Sequence, residues 1–366
     1  MSRALASVAL GATLVLAAAT FDTPSLYVPG LALVVLAVGA ATWVALAARG
    51  AAVVRGAAPS TVVEDEPYPL RLEIRSGVLP PPSGELLEPL LGWPVPLAGR
   101  WSRRVRINVR FSRRGRRVLH PATLVIRDPL GLQAREVRGA AGGELLVLPR
   151  IEPVLAPGGG AAGRGLAAGE AALAGARLHG ASEEVEIDGL RPYRLGSPAS
   201  RIHWPAVARR GEMLERRLIS GADAAPLVVL DPTRAVSEEA LDRAVRAAAS
   251  LCLHLARAGG CGVLLPGERR RIELDPGLGA WPHVHARLAV VEAGHGAPRL
   301  TRPPGGTVIW VSARPLREPP TALRRHPGEA VHVVTPEPLP GARVAFTVAG
   351  CYGQRLRAVA RRRAAA

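Results

Sequence analysis

Histidine is the residue type in this chain that most directly suggests chemistry, because its ring titrates near neutral pH and binds metal ions. His283 and His285 form an i, i+2 pair, which would converge on a strand and diverge on a helix. His203 and His254 are the other candidates. No acidic residue lies beside the pair at metal-ligand spacing, and no nucleophile elbow, phosphate-binding loop or dinucleotide fingerprint occurs. We therefore expect no enzymatic activity.

A second concentration of reactive side-chain types occupies residues 191–209. Arginines, aromatic residues and a glycine recur there at fixed offsets, at Arg191, Tyr193, Gly196, Arg201, Trp204 and Arg209. The arginines could bridge backbone carbonyls or the acids between 183 and 188, which would make this run a clasp between a linker and a sheet. The alternative is a surface that docks a partner. We expect Tyr193 and Trp204 to be packing anchors rather than to line a pocket.

Residues 100–117 carry nine arginines and no acidic residue. On the alternating stretch 105–111, Arg106 and Arg110 share one face and the apolar side chains share the other. The first interpretation is the solvated outer face of an edge strand, where charge blocks aggregation. The second is contact with anionic lipid headgroups. Nucleic acid is the least favoured partner, because aromatic side chains for stacking are nearly absent.

The net charge is +17, and arginine supplies it without any lysine. We attribute this excess to the base composition of a GC-rich genome and to a membrane-proximal surface, so we expect no nucleic-acid partner. Cys252, Cys261 and Cys351 are far apart and lack the spacing of a zinc site or a disulfide framework. Three scattered thiols fit a reducing compartment.

Residues 1–50 are expected to form a transmembrane helical hairpin. Uncharged apolar stretches cover 4–21 and 26–48, and a helix needs about 20 such residues to cross the hydrocarbon core. Arg3 precedes the first stretch and Arg49 follows the second, so the positive-inside rule places both ends in the cytoplasm. A signal peptide is the alternative for the first stretch. The remainder of the chain is cytoplasmic under either interpretation.

The rest of the chain divides into two expected domains. Short alternating runs broken by proline and glycine predict a small all-β, sandwich-like domain over 57–150. Residues 151–182 are rich in glycine and alanine, which is typical of a flexible linker. Strand and helix patterns alternate over 183–350, which predicts an α/β domain with a doubly wound sheet. Residues 351–366 are assigned to a basic C-terminal tail.

The α/β domain starts with the apolar strand 227–230, which ends in Asp231. A helix follows from about 237 to 258, with Ser237 as its N-cap. In doubly wound sheets, ligands bind beyond the carboxyl ends of the strands, and Asp231 stands at such an end. Further strands are predicted at 261–265, 270–274 (antiparallel), 307–311, 330–334 and 343–348 (an edge).

Two short motifs lie in the all-β domain. The first is Arg113-Arg114-Gly115, and the second is Asp128-Pro129-Leu130-Gly131-Leu132. In the second motif Pro129 presets φ, Asp128 can cap the turn, and Gly131 supplies backbone freedom. Taken alone, this second motif predicts a turn and nothing more.

Three blocks of the chain together resemble the domain of unknown function (DUF) 58 family of bacterial membrane proteins. They are the Arg-Arg-Gly and Asp-Pro-Leu-Gly-Leu motifs, the strand ending in Leu148-Pro-Arg150, and the run 191–209. The order of a transmembrane pair, a β-rich segment and an α/β domain also matches. The resemblance implies that the α/β domain is similar to von Willebrand factor type A domains. The chain departs from the family at Gly196-Ser197, where the family has Gly-Asp, so the acid that could pair with a neighbouring arginine is missing.

The resemblance to type A domains also implies a magnesium site, built from an Asp-x-Ser-x-Ser run, since hard cations prefer carboxylate and hydroxyl oxygens. In this chain Asp231 and Thr233 could serve as ligands, whereas Ala235 cannot, and Arg234 brings a positive charge next to them. The later strand ends in Ser312 without an aspartate. We therefore expect Asp231 to cap a turn and the chain to need no cofactor, with Mg²⁺ as the alternative.

The family resemblance implies a membrane-tethered adaptor that works with a MoxR-type AAA+ ATPase in the assembly or maturation of envelope proteins or complexes. It implies a multi-pass protein of the bacterial inner (cytoplasmic) membrane, with soluble domains facing the cytoplasm and other membrane proteins as further partners. Two alternatives stay open. One is a sensor that binds a divalent metal or another ligand at Asp231, and the other is an anionic-lipid-binding membrane protein that uses residues 100–117.

Overall fold

The structure is a computed structural model, and its described residues divide into two compact units. One unit comprises residues 1–112 and 116–147, and the other comprises residues 113–115 and 148–366. The described residues are 3–97, 103–140, 142–155, 186–192, 204, 208–209, 211, 213–219, 225–300, 307–318, 320, 323 and 331–356.

The first unit begins with two apolar helices, α1 (Arg3–Thr20) and α2 (Tyr27–Ala48), joined by a short 3₁₀ turn at Pro24–Leu26. At 1.5 Å per residue they are about 27 and 33 Å long, so both could span a membrane. The helices cross where Gly11 meets Gly30, and a Cβ on Gly11 would lie 2.7 Å from the Gly30 carbonyl oxygen. Only small residues allow this approach.

Ten strands lie in the described residues between 52 and 148, and they form three sheets. The strand orders are β1-β3-β6, β2-β10-β7 and β5-β4-β8-β9. The strands are β1 (Ala52–Arg55), β2 (Thr61–Val63), β3 (Pro67–Arg75), β4 (Ser83–Leu87), β5 (Val95–Leu97), β6 (Arg103–Arg110), β7 (Gly115–Val118), β8 (Thr123–Arg127), β9 (Ala134–Arg138) and β10 (Glu144–Leu148).

Alternating side chains explain the core of this unit. Along β3, Tyr68, Leu70, Leu72 and Ile74 are buried while the residues between them are more exposed, as a strand with one buried face requires. Val44 and Ala47 of α2 belong to the same apolar cluster as these side chains. The C-terminal end of α2 is therefore packed into the core of the β-rich unit.

The second unit contains a two-stranded antiparallel sheet and a seven-stranded mixed sheet with two described helices. The sheet order is β15-β14-β13-β16-β17-β19-β18. The elements are β11 (Glu186–Pro192), β12 (Leu214–Ile219), β13 (Leu227–Asp231), α3 (Glu238–Arg257), β14 (Cys261–Leu264), β15 (Ile272–Leu274), α4 (Trp281–Ala289), β16 (Val308–Ser312), β17 (Val331–Thr335), β18 (Val344–Val348) and β19 (Cys351–Leu356).

The central strands β14, β13, β16 and β17 run parallel, while β15 and β19 run antiparallel to their neighbours. The helix α3 connects β13 to its parallel neighbour β14, as a crossover must. Ser237 caps α3, since its hydroxyl oxygen accepts a hydrogen bond from the Ala240 N–H at 3.1 Å. The antiparallel strand predicted at 270–274 and the edge strand predicted at 343–348 are confirmed, as β15 and β18.

The parallel strands are buried on both faces. Val228 and Leu230 point into an apolar cluster that also contains side chains of α3 and α4. Leu227 and Val229 point into a second cluster, which includes Leu323 and Leu339. The structure therefore shows mixed α/β content with several sheets. The expected doubly wound, von Willebrand factor type A-like arrangement stays a prediction.

Two expected boundaries of this unit are wrong. Residues 351–356, assigned from the sequence to a basic tail, form β19 between β17 and β18, because Cys351, Gly353 and Gln354 are buried between these neighbours. Residues 151–155, assigned to the linker, are packed, with Val154 in the core and Leu155 hydrogen-bonded to Thr347. The rest of the expected linker and tail lies outside the described residues.

Candidate functional site

Asp231 lies at the carboxyl end of β13, and its carboxylate closes a local turn. Its Oδ1 accepts hydrogen bonds from the Thr233 backbone N–H at 3.1 Å and from the Thr233 hydroxyl at 2.6 Å. The next residue, Arg234, has a left-handed φ of +54°, which completes the reversal of the chain. Asp231 is buried, so the turn satisfies a carboxylate that would otherwise be costly to bury.

The neighbouring strand ends use their hydroxyl groups in the same local way. Ser312 is in register with Asp231, and its hydroxyl donates to the Arg314 carbonyl oxygen at 3.1 Å. The Thr335 hydroxyl donates to the Glu337 carbonyl oxygen at 2.6 Å. Each hydroxyl is held by the turn that follows its own strand.

These residues do not fit the magnesium site that the type A resemblance implies. Mg²⁺ prefers six oxygen ligands in a near-octahedral arrangement, and this turn offers one carboxylate and one hydroxyl, which are bonded to each other. Ala235 packs against the apolar core. Within the described ranges, no group of three or more His, Cys, Asp or Glu side chains could hold a metal ion.

The histidine pair lies on α4, where the two side chains diverge. His283 is exposed, whereas His285 is buried. The His285 ring stacks on Trp281 with centroids 4.7 Å apart, and its Nε2 lies 2.7 Å from the Pro149 carbonyl oxygen. Burial lowers the pKa of His285, and the hydrogen bond to Pro149 opposes this effect. A neutral ring that donates Nε2–H to Pro149 is therefore a packing element of the second unit.

The Arg113-Arg114-Gly115 motif belongs to the second unit, where its two arginines form ion pairs with α3. Arg113 Nε donates to Asp242 Oδ2 at 3.0 Å, and Arg114 Nη1 lies 3.2 Å from Asp242 Oδ1. Arg114 Nη2 also donates to the Val291 carbonyl oxygen at 2.8 Å. The side chains of Arg114 and Asp242 are only 4% exposed. One buried carboxylate thus accepts from two consecutive arginines.

Asp242 belongs to none of the motifs that the sequence shows. It lies on α3 next to Leu241 and close to Val245, both of which are buried. An acidic residue on the apolar side of an amphipathic helix is the signal that could have found it, because such a residue is buried only with a partner. The hydrogen bonds from Arg113 to Glu238 and Asp242 raise the pKa of Arg113.

The Asp128 motif forms a closed turn between β8 and β9. Asp128 Oδ2 accepts from the Leu130 N–H at 3.0 Å, and Oδ1 accepts from the Gln133 N–H at 2.6 Å. Gly131 adopts a φ of +67°, a conformation that favours glycine. The Leu132 carbonyl oxygen accepts a hydrogen bond from the Ala4 N–H of α1 at 3.1 Å. The turn therefore also supports the first turn of an apolar helix.

The run 191–209 is described only in part. Arg191 lies in β11, in register with Glu215 of β12. Trp204 is 61% exposed, and Arg209 is also exposed. The expectation that Trp204 is a packing anchor is therefore wrong, because an anchor would have its indole buried. Tyr193, Gly196 and Arg201 lie outside the described residues.

The arginine-rich strand β6 has the exposed charged face that its first interpretation expects, and its contact with anionic lipid stays a prediction. It is the edge strand of the sheet β1-β3-β6. Arg104, Arg106 and Arg110 are exposed on one face, while Val105 and Val109 pack against the core. A charged outer face on an edge strand blocks pairing with other chains.

The three cysteines are buried free thiols. Burial raises the pKa of Cys351 to about 12 and the pKa of Cys252 well above its usual value. Because the thiolate is the reactive form, Cys252 and Cys351 are protected from thiol reagents while the second unit is folded.

No known protein family, curated protein or solved structure matches this chain.

Proposed function

We propose that this chain is a non-enzymatic adaptor of the bacterial inner membrane, which holds a partner protein at the membrane through its second unit. From the resemblance to the DUF58 family, the proposed partner is a MoxR-type AAA+ ATPase. The process would be the assembly or maturation of envelope proteins or complexes, with the soluble units in the cytoplasm. The observation that carries the docking part of the proposal is the exposure of Trp204.

Membrane attachment is supported by the side chains that α1 and α2 expose. Leu5, Leu16, Val28 and Leu31 are all more than half exposed on these helices. Apolar side chains at this density are costly in water and stable in hydrocarbon, at roughly 25 cal/mol per Å². A bilayer would cover them and would fix the soluble units beside the membrane.

Docking is supported by the kind of residues that surround Trp204 in the sequence. Arg209 and Met213 are exposed within nine residues of it. Tryptophan, arginine and methionine are enriched in protein–protein interfaces relative to the rest of a protein surface. An exposed indole of this kind is a typical hot-spot residue, because a partner can bury it completely.

Three candidate chemical groups have structural partners, which favours a binding role for this chain over a catalytic one. Asp231 is engaged by Thr233, His285 by Pro149, and Asp242 by two arginines. The alternative function, a metal sensor at Asp231, has no observation in its favour beyond the Asp231 carboxylate.

Co-purification of the full-length protein from native membranes tests the proposal. The wild-type chain should enrich an AAA+ ATPase. Trp204→Ala should weaken the enrichment by about thirtyfold or more, which corresponds to about 2 kcal/mol for a hot-spot tryptophan. Trp93→Ala is the matched control, since Trp93 is 66% exposed in the first unit, and it should leave enrichment unchanged.

Two results would count against the adaptor. If no AAA+ ATPase is enriched with the wild-type chain, the identity of the partner is wrong. If Trp204→Ala and Trp93→Ala retain the ATPase equally, the surface around Trp204 is not the docking site.

A further inference from the structure

Two loops of the first unit are fixed to the ends of the apolar helices, and we call them the loop pair. The first loop, residues 76–82, connects β3 to β4. The Val78 N–H donates to the Arg49 carbonyl oxygen at 3.0 Å, and Trp43 Nε1 donates to the Pro80 carbonyl oxygen at 3.0 Å. A Cβ on Gly77 would lie 2.1 Å from the Ala47 carbonyl oxygen, so the backbone of this loop is pressed against the end of α2.

The second loop, residues 128–133, lies at the same end of the unit and contacts the start of α1. Its Leu132 carbonyl oxygen accepts from the Ala4 N–H. The two Asp128 hydrogen bonds to Leu130 and Gln133 hold the loop in one shape. Neighbouring strands confirm the shared end, because Ser83 at the start of β4 is in register with Arg127 at the end of β8.

The loop pair exposes apolar side chains at this end. Val78 is 65% exposed and Leu130 is 61% exposed, and Leu79 is also exposed between Val78 and Pro80. Single exposed apolar residues are ordinary. These residues differ because both loops are hydrogen-bonded to helix ends that would emerge from the hydrocarbon.

Arginines flank the same apolar tips. Arg75 precedes the first loop and Arg127 precedes the second, and both side chains are more than half exposed. Each also pairs with a glutamate, Glu73 at 3.9 Å and Glu85 at 3.4 Å, and exposed pairs of this kind are weak enough to exchange with a headgroup. Arg3 and Arg49 are exposed at the helix ends. Arginine beside apolar side chains is typical of the bilayer interface, where the guanidinium reaches anionic headgroups and the apolar part enters the acyl boundary.

We propose that the loop pair inserts into the lipid headgroup region, with Val78, Leu79 and Leu130 as its apolar tips. The lipid bilayer is the partner because the loops and the helix ends form one continuous surface through the hydrogen bonds given above. The β-rich part of the first unit would thereby contact the membrane directly, in addition to being attached through α1 and α2. This inference rests on the membrane-anchoring part of the proposed function, but it does not require the ATPase.

Depth-dependent fluorescence quenching in nanodiscs tests the inference with the full-length protein alone. The nanodiscs contain phosphatidylcholine with about a quarter of phosphatidylglycerol, an anionic fraction chosen to supply the surface charge that arginines sense. An environment-sensitive thiol dye is attached to Val78→Cys, Leu130→Cys, Trp93→Cys or Leu31→Cys, one at a time. The native cysteines are buried and should not be labelled. Nitroxide lipids carry the quencher either near the headgroup or in mid-chain.

Trp93→Cys is the matched control because it is as exposed as the tips but lies at the other end of the same sheet. Trp93 follows β4, whose first residue faces the loop pair and whose last residue is Leu87. The four steps of that strand separate its two ends by about 13 Å. Leu31→Cys reports whether α2 has entered the bilayer.

The headgroup quencher should reduce the fluorescence of Val78→Cys and Leu130→Cys by about twofold more than that of Trp93→Cys, as expected for insertion of 5–10 Å or less. The mid-chain quencher should act on Leu31→Cys. If Leu31→Cys is quenched while both tips behave like Trp93→Cys, the loop insertion is wrong and the membrane anchor stands. If Leu31→Cys is not quenched, the anchor and the insertion are both wrong. Neither result depends on a bound ATPase, so docking at Trp204 is judged separately.

Discussion

The second unit contains a buried carboxylate, Asp242, which is stabilised by two arginine side chains. Asp242 accepts from Arg113 and Arg114, and the side chains of Arg114 and Asp242 are almost fully removed from solvent. Breaking a buried ion pair by removing one partner costs more than the pair itself contributes, because the remaining charge keeps its desolvation penalty. Removal of the Asp242 carboxylate should therefore destabilise the second unit more than removal of an exposed acid on the same helix.

We expect Asp242→Ala to lower the free energy of unfolding of the second unit by about 3 kcal/mol or more. Glu238→Ala is the matched control, because Glu238 is on the same helix and pairs with the same Arg113 but its side chain is 79% exposed. It should cost at most about 1 kcal/mol, as exposed ion pairs do. Hydrogen–deuterium exchange of α3 amides measures both variants. Equal exchange rates in the two variants would contradict the buried role of Asp242.

His285 should make the second unit less stable as the pH falls. The pKa of the folded state is lowered by burial, whereas an unfolded histidine titrates near 6.5. Between these two pKa values the unfolded state binds more protons, so stability is lost as the pH decreases below about 6.5. Wild-type protein should thus lose more stability between pH 7.5 and pH 5.5 than His285→Gln, which keeps a donor for Pro149. Thermal unfolding at both pH values measures the difference, and parallel losses would show that His285 does not contribute.

At the scale of elements, the close approach of α1 and α2 depends on two glycines. Gly11 of α1 and Gly30 of α2 meet with almost no space between the backbones, while Gly39 has no heavy atom within 4 Å of the position where its Cβ would lie. Because both glycines lie in the same helical hairpin, Gly11 at the helix contact can be compared directly with Gly39, which has open space beside it.

Gly11→Ala should separate the helices and destabilise the hairpin, because the new methyl group would lie 2.7 Å from the Gly30 carbonyl oxygen. Gly39→Ala should be neutral or slightly stabilising, since alanine has a higher helix propensity than glycine by about 1 kcal/mol. Cysteine cross-linking between α1 and α2 in detergent reports the contact. Unchanged cross-linking in Gly11→Ala would show that the close approach is not required.

At the scale of the whole molecule, the exposed apolar faces of α1 and α2 determine where the chain can reside. Val38→Arg places a charge on the exposed face of α2, halfway along the helix. Near the centre of a bilayer this charge costs about 2.5–3.5 kcal/mol, so the variant should be extracted from membranes by alkaline carbonate far more readily than wild type. Val118→Arg, an exposed position on β7, should stay in the membrane pellet with the wild type. Release of the wild-type chain itself would contradict the membrane anchor.

Local patterns in the sequence were sufficient to predict the features that depend on local physics. The two apolar helices follow from length and hydropathy, β3 from its alternation, and α3 from Ser237 and its apolar face. The Asp128 turn likewise follows from residues that lie next to one another. The strand β19 was missed because glycine and glutamine at its buried positions carry no apolar signal, although their neighbours bury them.

The sequence by itself determined that two apolar helices precede a β-rich segment and an α/β segment, because each of these depends on the period of side chains within a few turns or strands. Only the tertiary structure decided which partners the residues of the motifs contact and which of these residues are exposed. It joined Arg113 to Asp242 across 129 positions, left Trp204 exposed, and brought the loop pair to the helix ends. Such contacts depend on the fold, since no residue near Arg113 or Leu132 in the chain specifies a partner that lies so far away.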